Sequence, residues 1–305
     1  MVCAHIFVIS FKLILEKHKV QHLKQTKNKV SFPNTTPQGT SYSVYGEILP
    51  GSTSAIYTLV FIHGVGLNKL VWAPQICYFS SHYRIVVYDL LGHGSSPLPP
   101  KKVTLEHYSA QLAELLDHLK IASANFVGHS MGAIISVAFA LEFPNRVESL
   151  VPMNIVYKRD ALQKKSVMVR AEQVLKNQQI SGINETLHRW FSAKTDVQSL
   201  KKIEQIRKWL SQIEPTGYGR TYRLFAESDN AFEGRLQQLN LPVLYLTGQD
   251  DANSTPEMSR LMAAESANAN TMVIDNEAHM MAYISPDTIN PIIIDFLRNL
   301  RRSYE

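Results

Sequence analysis

The chain has 305 residues, of which 45% are hydrophobic and 19% are charged, so it is long enough for a large buried core and too apolar for a disordered chain. Residues 1–40 hold six lysines and one acid, which accounts for the net charge of +5 and leaves 25 basic and 25 acidic groups in the remaining 265 residues; such a neutral body does not favour nucleic-acid binding. Two cysteines are too few for a disulfide framework or a zinc cluster, which makes a reducing compartment the default.

Residues 1–40 are predicted to be a poorly ordered N-terminal extension. Residues 6–15 are apolar, but Lys12 interrupts them, and a membrane-spanning helix needs about 20 apolar residues. A secretory signal has basic residues before its apolar run, whereas here they follow it. We therefore expect no stable membrane insertion and a cytoplasmic location, although the apolar stretch leaves export or membrane association open. Residues 31–43, rich in Pro, Thr, Ser and Gly, are interpreted as a linker.

Short apolar runs that favour β-structure recur along the chain from residue 44. The first three are followed by turns that contain glycine, and Pro242 stands just before the fourth, where a strand tolerates proline. The predicted buried strands are residues 58–62, 84–88, 125–127, 243–246 and 271–274.

Helical patterns lie between these runs. Apolar residues recur at helical spacing from Leu105 to Leu119, behind Thr104 as a candidate N-cap. Residues 133–143 are apolar on every side and predict a buried helix, which ends at Pro144. Strands that alternate with helices predict an α/β fold, in which a mostly parallel central sheet is covered by helices on both faces.

The middle of the chain has a different pattern. Residues 154–232 contain no convincing strand and are rich in helix-forming Lys, Gln, Glu and Leu. We interpret them as a helical cap, inserted into a core made of residues 41–153 and 233–305. Residues 158–208 carry twelve basic and five acidic groups, and basic residues that faced a cleft would hold an acidic substrate. Candidates are Arg170, Arg189 and Arg207; the alternative is that these charges lie on solvated helix faces.

The pattern Gly128-x-Ser130-x-Gly132 is the clearest chemical signal in the chain. An apolar strand leads into it and a buried helix follows it, which is the strand–turn–helix setting of a nucleophile elbow. In so tight a turn the serine takes strained backbone angles, and a side chain on either neighbour would clash. The helix N-terminus behind Ser130 favours developing negative charge.

With these features the chain resembles the α/β-hydrolase superfamily over residues 44–305. The motifs that carry the resemblance occur in the family's order and are His63-Gly64-Val65-Gly66, Gly92-His93-Gly94-Ser95-Ser96, the turn around Ser130, Gly248-Gln249-Asp250-Asp251, and His279.

The resemblance implies a catalytic triad in the order serine, acid, histidine. Ser130 is then the nucleophile, and His279, the only histidine after His188, is the base. The family pattern selects Asp251 as the acid, but the segment before Pro256 is one residue longer than in many relatives, which leaves Asp250 as a rival.

The resemblance also implies an oxyanion hole made of the backbone N–H groups of Val65 and Met131. Candidate pocket residues are His129, Arg189, Trp190 and Met280, with His129 alternatively a residue that packs the turn. No cofactor and no metal is implied. Residues 187–191 are similar to the caps of enol-lactonase-type and C–C-bond hydrolases.

These residues predict a serine hydrolase that cleaves a small carboxylic ester or lactone through an acyl-enzyme. The same groups would serve a thioesterase, a C–C bond hydrolase, an acyltransferase or a cofactor-free perhydrolase. Outside enzymes, the alternative is a non-catalytic ligand-binding protein on a hydrolase scaffold. The expected partner is a small acyl substrate and not a nucleic acid; monomer and homodimer both stay open.

Overall fold

The computed structural model describes residues 34–46, 58–191 and 194–302. Most of the predicted N-terminal extension, residues 1–33, lies outside this range. Within the described residues, no helix combines the length and the apolar character that crossing a membrane requires.

The strands follow the apolar runs of the sequence. Strands β2 to β8 lie in one sheet in the order β2-β4-β3-β5-β6-β7-β8. Strand β2 pairs antiparallel with β4 and the other pairs are parallel, which confirms the predicted mostly parallel sheet. The strands are β1 (Asn34–Thr35), β2 (Ser41–Tyr45), β3 (Thr58–Ile62), β4 (Arg84–Tyr88), β5 (Ala124–His129), β6 (Val147–Met153), β7 (Val243–Gly248) and β8 (Ala269–Ile274).

The α-helices of the described residues connect these strands. They are α1 (Ala73–Phe79), α2 (Leu105–His118), α3 (Met131–Glu142), α4 (Ala161–Asn177), α5 (Ile183–Phe191), α6 (Val197–Gln212), α7 (Pro215–Glu227), α8 (Pro256–Glu265), α9 (Met281–Ile284) and α10 (Pro286–Arg302). Short 3-10 helices are Lys69–Trp72, Pro144–Arg146, Ser228–Asn230 and Leu236–Gln238.

The hydrophobic core surrounds the centre of the sheet. Strand β3 is buried along its whole length, which is typical of a parallel strand with helices on both faces. Helix α3 is buried on most of its sides, as its apolar sequence predicts. Ser130 alone separates β5 from α3. Burial of these two elements therefore holds the turn at Ser130 in place.

Helices α4 to α7, which we call the cap helices, occupy the stretch between β6 and β7. The described residues of this stretch contain no strand, in agreement with the sequence pattern. Helix α4 packs against α7, and α5 packs against α6.

The structure differs from the sequence predictions at three strands, β2, β6 and β8. The predicted linker overlaps β2, whose Ser41 is fully buried and accepts a 2.8 Å hydrogen bond from the Asp89 backbone. Strand β6 was not predicted, because Glu148, Ser149 and Pro152 interrupt its apolar pattern. The predicted buried strand at residues 271–274 is an edge strand, with β7 as its one neighbour in the described sheet, and Met272 is 41% exposed.

Candidate active site

Ser130 occupies the sharp turn between β5 and α3. Its backbone angles, φ 55° and ψ −117°, are strained for a residue with a side chain. Surrounding hydrogen bonds hold this conformation: its N–H donates to Met153 O at 2.9 Å, and its carbonyl accepts from Ala133 N at 2.9 Å and Ile134 N at 3.1 Å. The end of β6 and the start of α3 therefore fix the turn from both sides.

The two glycines of the motif are required by close packing. A Cβ on Gly128 would lie 2.4 Å from Gly132 O, and a Cβ on Gly132 would lie 2.1 Å from Ile62 O. Neither contact involves a side chain that could move aside. Neither Gly128 nor Gly132 can therefore carry a side chain, as the motif predicts.

His279 and Asp251 form a buried pair beyond the ends of β8 and β7. His279 Nδ1 donates to Asp251 Oδ2 at 2.8 Å, and each residue is 2% exposed. Asp250, the rival acid of the sequence analysis, is exposed. Since Nδ1 donates to the carboxylate, the other ring nitrogen, Nε2, is free to accept a proton.

Asp251 is surrounded by hydrogen-bond donors. Its Oδ1 accepts from the backbone N–H groups of Asn253 at 2.9 Å and Ser254 at 3.1 Å, and Asn154 Nδ2 donates to Oδ2 at 2.8 Å. Burial alone would raise the pKa of Asp251, but His279 and these donors together lower it. The carboxylate is therefore ionised at neutral pH.

Ser130 and His279 line the same cavity, which has a volume of about 300 Å³. Val65 lines it beside Ser130, and cap residues that include Trp190 form its other walls. The Trp190 ring centroid lies 5.6 Å from that of His279. A cavity of this size fits a small substrate.

The backbone N–H groups predicted to bind an oxyanion belong to Met131 and Val65. Met131 is the first residue of α3, so its N–H has no acceptor within the helix. Val65 follows β3 in a loop that lines the cavity. That these two N–H groups bind an oxyanion stays a prediction.

Two buried histidines hold the Val65 loop. His63 Nε2 accepts from Leu90 N at 3.0 Å and His93 Nε2 accepts from Gly66 N at 3.0 Å, which leaves the proton of each ring on Nδ1. Burial lowers the pKa of His63 to about 4 and that of His93 to about 3. Both rings are neutral and serve as fixed hydrogen-bonding groups.

Of the four predicted pocket residues, Arg189 and Trp190 line the cavity and the other two do not. His129 is 4% exposed, and its Nε2–H donates to the His279 carbonyl at 2.7 Å. Met280 is 2% exposed and packs in the core, and its backbone N–H donates to Trp190 O at 3.1 Å. The prediction that His129 and Met280 line the pocket was wrong, since both are buried and neither is on the cavity wall.

The three candidate arginines of the cap lie in two different environments. Arg170 and Arg189 line the cavity. Arg207 pairs with Glu204 on an exposed face of α6, with its Nε 3.0 Å from the Glu204 carboxylate, so the solvated-face interpretation holds for it.

Asn154 and Arg159 are functional candidates that the sequence analysis did not identify. Asn154 follows directly after β6, with φ 51°, and contacts Asp251, but β6 itself was not predicted. Arg159 lines the cavity from the segment before α4, where no motif marked it. Among the described residues, no group of three or more His, Cys, Asp or Glu side chains is arranged to hold a metal ion.

Comparisons with known proteins agree on the fold. A family model described as "alpha/beta hydrolase fold" matches residues 57–286. A protein of Acinetobacter baylyi named (E)-2-((N-methylformamido)methylene)succinate hydrolase is 35% identical over 76% of this chain and 87% of its own length. 3-Oxoadipate enol-lactonase 2 of the same organism is 28% identical over 76% of this chain and 85% of its own.

A solved structure gives the same result in three dimensions. The enol-lactonase from Burkholderia xenovorans LB400 superposes with a TM-score of 0.78 at 25% identity, covering 86% of this chain and 98% of that one.

Proposed function

The chain belongs to the alpha/beta hydrolase fold family and is a hydrolase, and from this premise we propose that it cleaves a small carboxylic ester or lactone with Ser130, His279 and Asp251. The observation that carries the proposal is the buried 2.8 Å hydrogen bond from His279 to Asp251, with Ser130 and His279 on the wall of one cavity.

Acylation begins with Ser130, whose hydroxyl is a weak nucleophile until a base removes its proton. His279 Nε2 takes the proton as Oγ bonds to the carbonyl carbon, and the carbonyl electron pair moves onto oxygen. Asp251 holds the imidazole in the required tautomer and stabilises its positive charge. The N–H groups of Val65 and Met131 stabilise the oxyanion, and loss of one such donor costs about 10²–10³ in rate.

Collapse of the tetrahedral intermediate breaks the bond to the leaving oxygen. His279 returns the proton to that oxygen, which departs as an alcohol, or stays attached when the substrate is a lactone. Water then attacks the acyl-enzyme with His279 again as base, and the carboxylic acid leaves as Ser130 regains its proton. Water is the one further reactant, and the products together contain all atoms of the substrate and the water.

The enol-lactonases support the choice of a lactone, whereas the succinate-derivative hydrolase is named for a compound that contains no ester bond. The enol-lactonases are named for opening a lactone. The succinate-derivative hydrolase shows in its name that a related chain hydrolyses a small acid.

Initial rates with phenyl acetate, dihydrocoumarin and S-phenyl thioacetate test the proposal. We expect hydrolysis of the ester and the lactone, and loss of about 10³-fold or more in kcat for Ser130→Ala with an unchanged melting temperature. Ser211→Ala is the control, because Ser211 is exposed on α6 and donates to Lys208 O. Wild-type rates in a folded Ser130→Ala variant would overturn the proposal.

A further inference from the structure

Three arginines line the cavity, and one of them is already neutralised. Arg159 Nε donates to Asp229 Oδ1 at 2.5 Å and its Nη2 donates to Phe225 O at 2.7 Å. The Asp229 carboxylate is 1% exposed, so the positive charge of Arg159 has a buried carboxylate partner. Arg159 therefore has a structural partner and needs no ligand.

Arg170 on α4 and Arg189 on α5 have no such partner. Among the described residues, neither forms an ion pair with a carboxylate, and the Nε of each is buried without a hydrogen-bond acceptor. The Arg189 side chain donates one long hydrogen bond, from Nη2 to Thr186 Oγ1 at 3.3 Å. Two guanidinium groups thus line one small cavity with donors unused.

The surroundings of Arg189 do not favour its positive charge. Burial lowers the pKa of Arg189, and the positive charge of Arg170 lowers it further. Both arginines are half-buried, and a buried N–H donor without an acceptor is costly. A group that brought negative charge and oxygen acceptors to both arginines would relieve the repulsion and satisfy the unused N–H donors.

A carboxylate has the chemistry that these two residues lack. Its two oxygens match the planar fork of a guanidinium, and hydrogen bonds between ionised groups are about twice as strong as neutral ones. The rest of the wall contains apolar groups such as Val167, Trp190 and Phe225, which suit the uncharged part of a small molecule.

We propose that the substrate carries a carboxylate, which Arg170 and Arg189 bind while the reacting acyl group lies against Ser130. The inference rests on the proposed hydrolysis at Ser130 and adds the charge of the substrate. Selection is by charge: a neutral ester of equal size leaves both arginines unpaired, and a cationic one is repelled.

Monomethyl and dimethyl glutarate test this inference, because they share an ester bond and chain length and differ by one charge. In the Ser130→Ala variant, which removes turnover, calorimetry measures binding. We expect the monoester to bind about 10- to 100-fold tighter than the diester, and Arg170→Met or Arg189→Met to remove most of that difference. Arg207→Met is the matched control, an arginine of the same cap region paired on the surface.

The ratio of kcat/KM for the two esters gives the same comparison in the active enzyme. We expect it to exceed tenfold and to fall toward one in Arg170→Met and Arg189→Met, with Arg207→Met unchanged. Arg170→Lys and Arg189→Lys keep the charge without the fork, and we expect intermediate ratios that separate loss of charge from misfolding.

Equal binding of the two esters to Ser130→Ala would overturn the inference, as would a preference that survives both Arg→Met changes. Either result leaves the proposed hydrolysis intact if wild-type protein cleaves phenyl acetate. Conversely, unchanged ester cleavage by Ser130→Ala would overturn the proposed hydrolysis, whereas the binding comparison requires no turnover.

Discussion

His129 Nε2 donates a 2.7 Å hydrogen bond to the backbone carbonyl of His279. The residue next to Ser130 in sequence thus holds the backbone of the proposed base, which comes from the far end of the chain. Burial lowers the pKa of His129 to about 3, so its ring is a neutral donor at working pH. The link ties the nucleophile turn to the loop after β8.

Removal of this donor is expected to affect both stability and rate. His129→Ala leaves the buried His279 carbonyl without its partner, which lowers the free energy of unfolding by about 1–3 kcal/mol. The loosened loop misplaces the imidazole, so kcat falls by about tenfold or more. Urea denaturation and initial rates measure the two effects. His188→Ala is the control, because His188 is exposed on α5; equal behaviour of the two variants would refute the role of His129.

The two neighbouring aspartates are expected to behave differently. Asp251→Asn removes the charge that orients and stabilises the His279 ring, and kcat falls by about 10⁴. Asp250→Asn changes an exposed side chain and retains the wild-type rate. Steady-state kinetics of the two variants decide between them, and a large loss in Asp250→Asn alone would reverse the assignment.

Acid is expected to destabilise the protein through its buried histidines. Burial lowers the pKa of His63 to about 4 and the pKa values of His93 and His129 to about 3, whereas an unfolded histidine titrates near pH 6.5. As the pH falls below about 6.5, the unfolded chain binds protons that the folded chain excludes, so stability present above that pH is lost.

The slope of this effect can be measured. Each of the three histidines contributes up to about 1.4 kcal/mol per pH unit, so the free energy of unfolding falls by about 4 kcal/mol between about pH 6 and about pH 5. Urea denaturation at several pH values gives the slope. In His129→Ala it should decrease by about a third; a flat or rising profile toward acid would contradict the buried neutral rings.

Glycine replacements test the packing of the turn. Gly132→Ala places a Cβ 2.1 Å from Ile62 O, and we expect a loss of about 3 kcal/mol or more in the free energy of unfolding. Gly234→Ala is the control, since Gly234 has φ 70° but open space around it, and the left-handed backbone costs only about 1–2 kcal/mol. Thermal and chemical denaturation compare the two, and an equal loss would count against the packing argument.

The parts of the site that follow a local motif were accessible from the sequence. The turn around Ser130 is determined by neighbours within a few residues, because its glycines and its flanking strand and helix are contiguous. His279 and Asp251 follow strands whose apolar runs are visible, and the family order assigns their roles. The structure distinguishes the two aspartates, because Asp251 is buried and Asp250 is exposed. The sequence alone does not show this difference.

The parts that depend on packing between distant segments were not accessible. Asn154 contacts Asp251 because β6 lies beside β7. The polar residues of β6 interrupt its apolar pattern, so the sequence does not predict that strand. Met280 packs in the core and not on the cavity wall, which its neighbours in sequence do not indicate. Arg170 and Arg189 lie on different helices, so sequence spacing does not show that both line one cavity.

Reaction with a fluorophosphonate probe, read by peptide mass spectrometry, shows whether Ser130 is the activated nucleophile. We expect one adduct per chain, on Ser130, absent in Ser130→Ala and formed far more slowly in His279→Ala. An adduct on a different serine, or an unlabelled wild-type protein that still hydrolyses esters, would contradict this expectation.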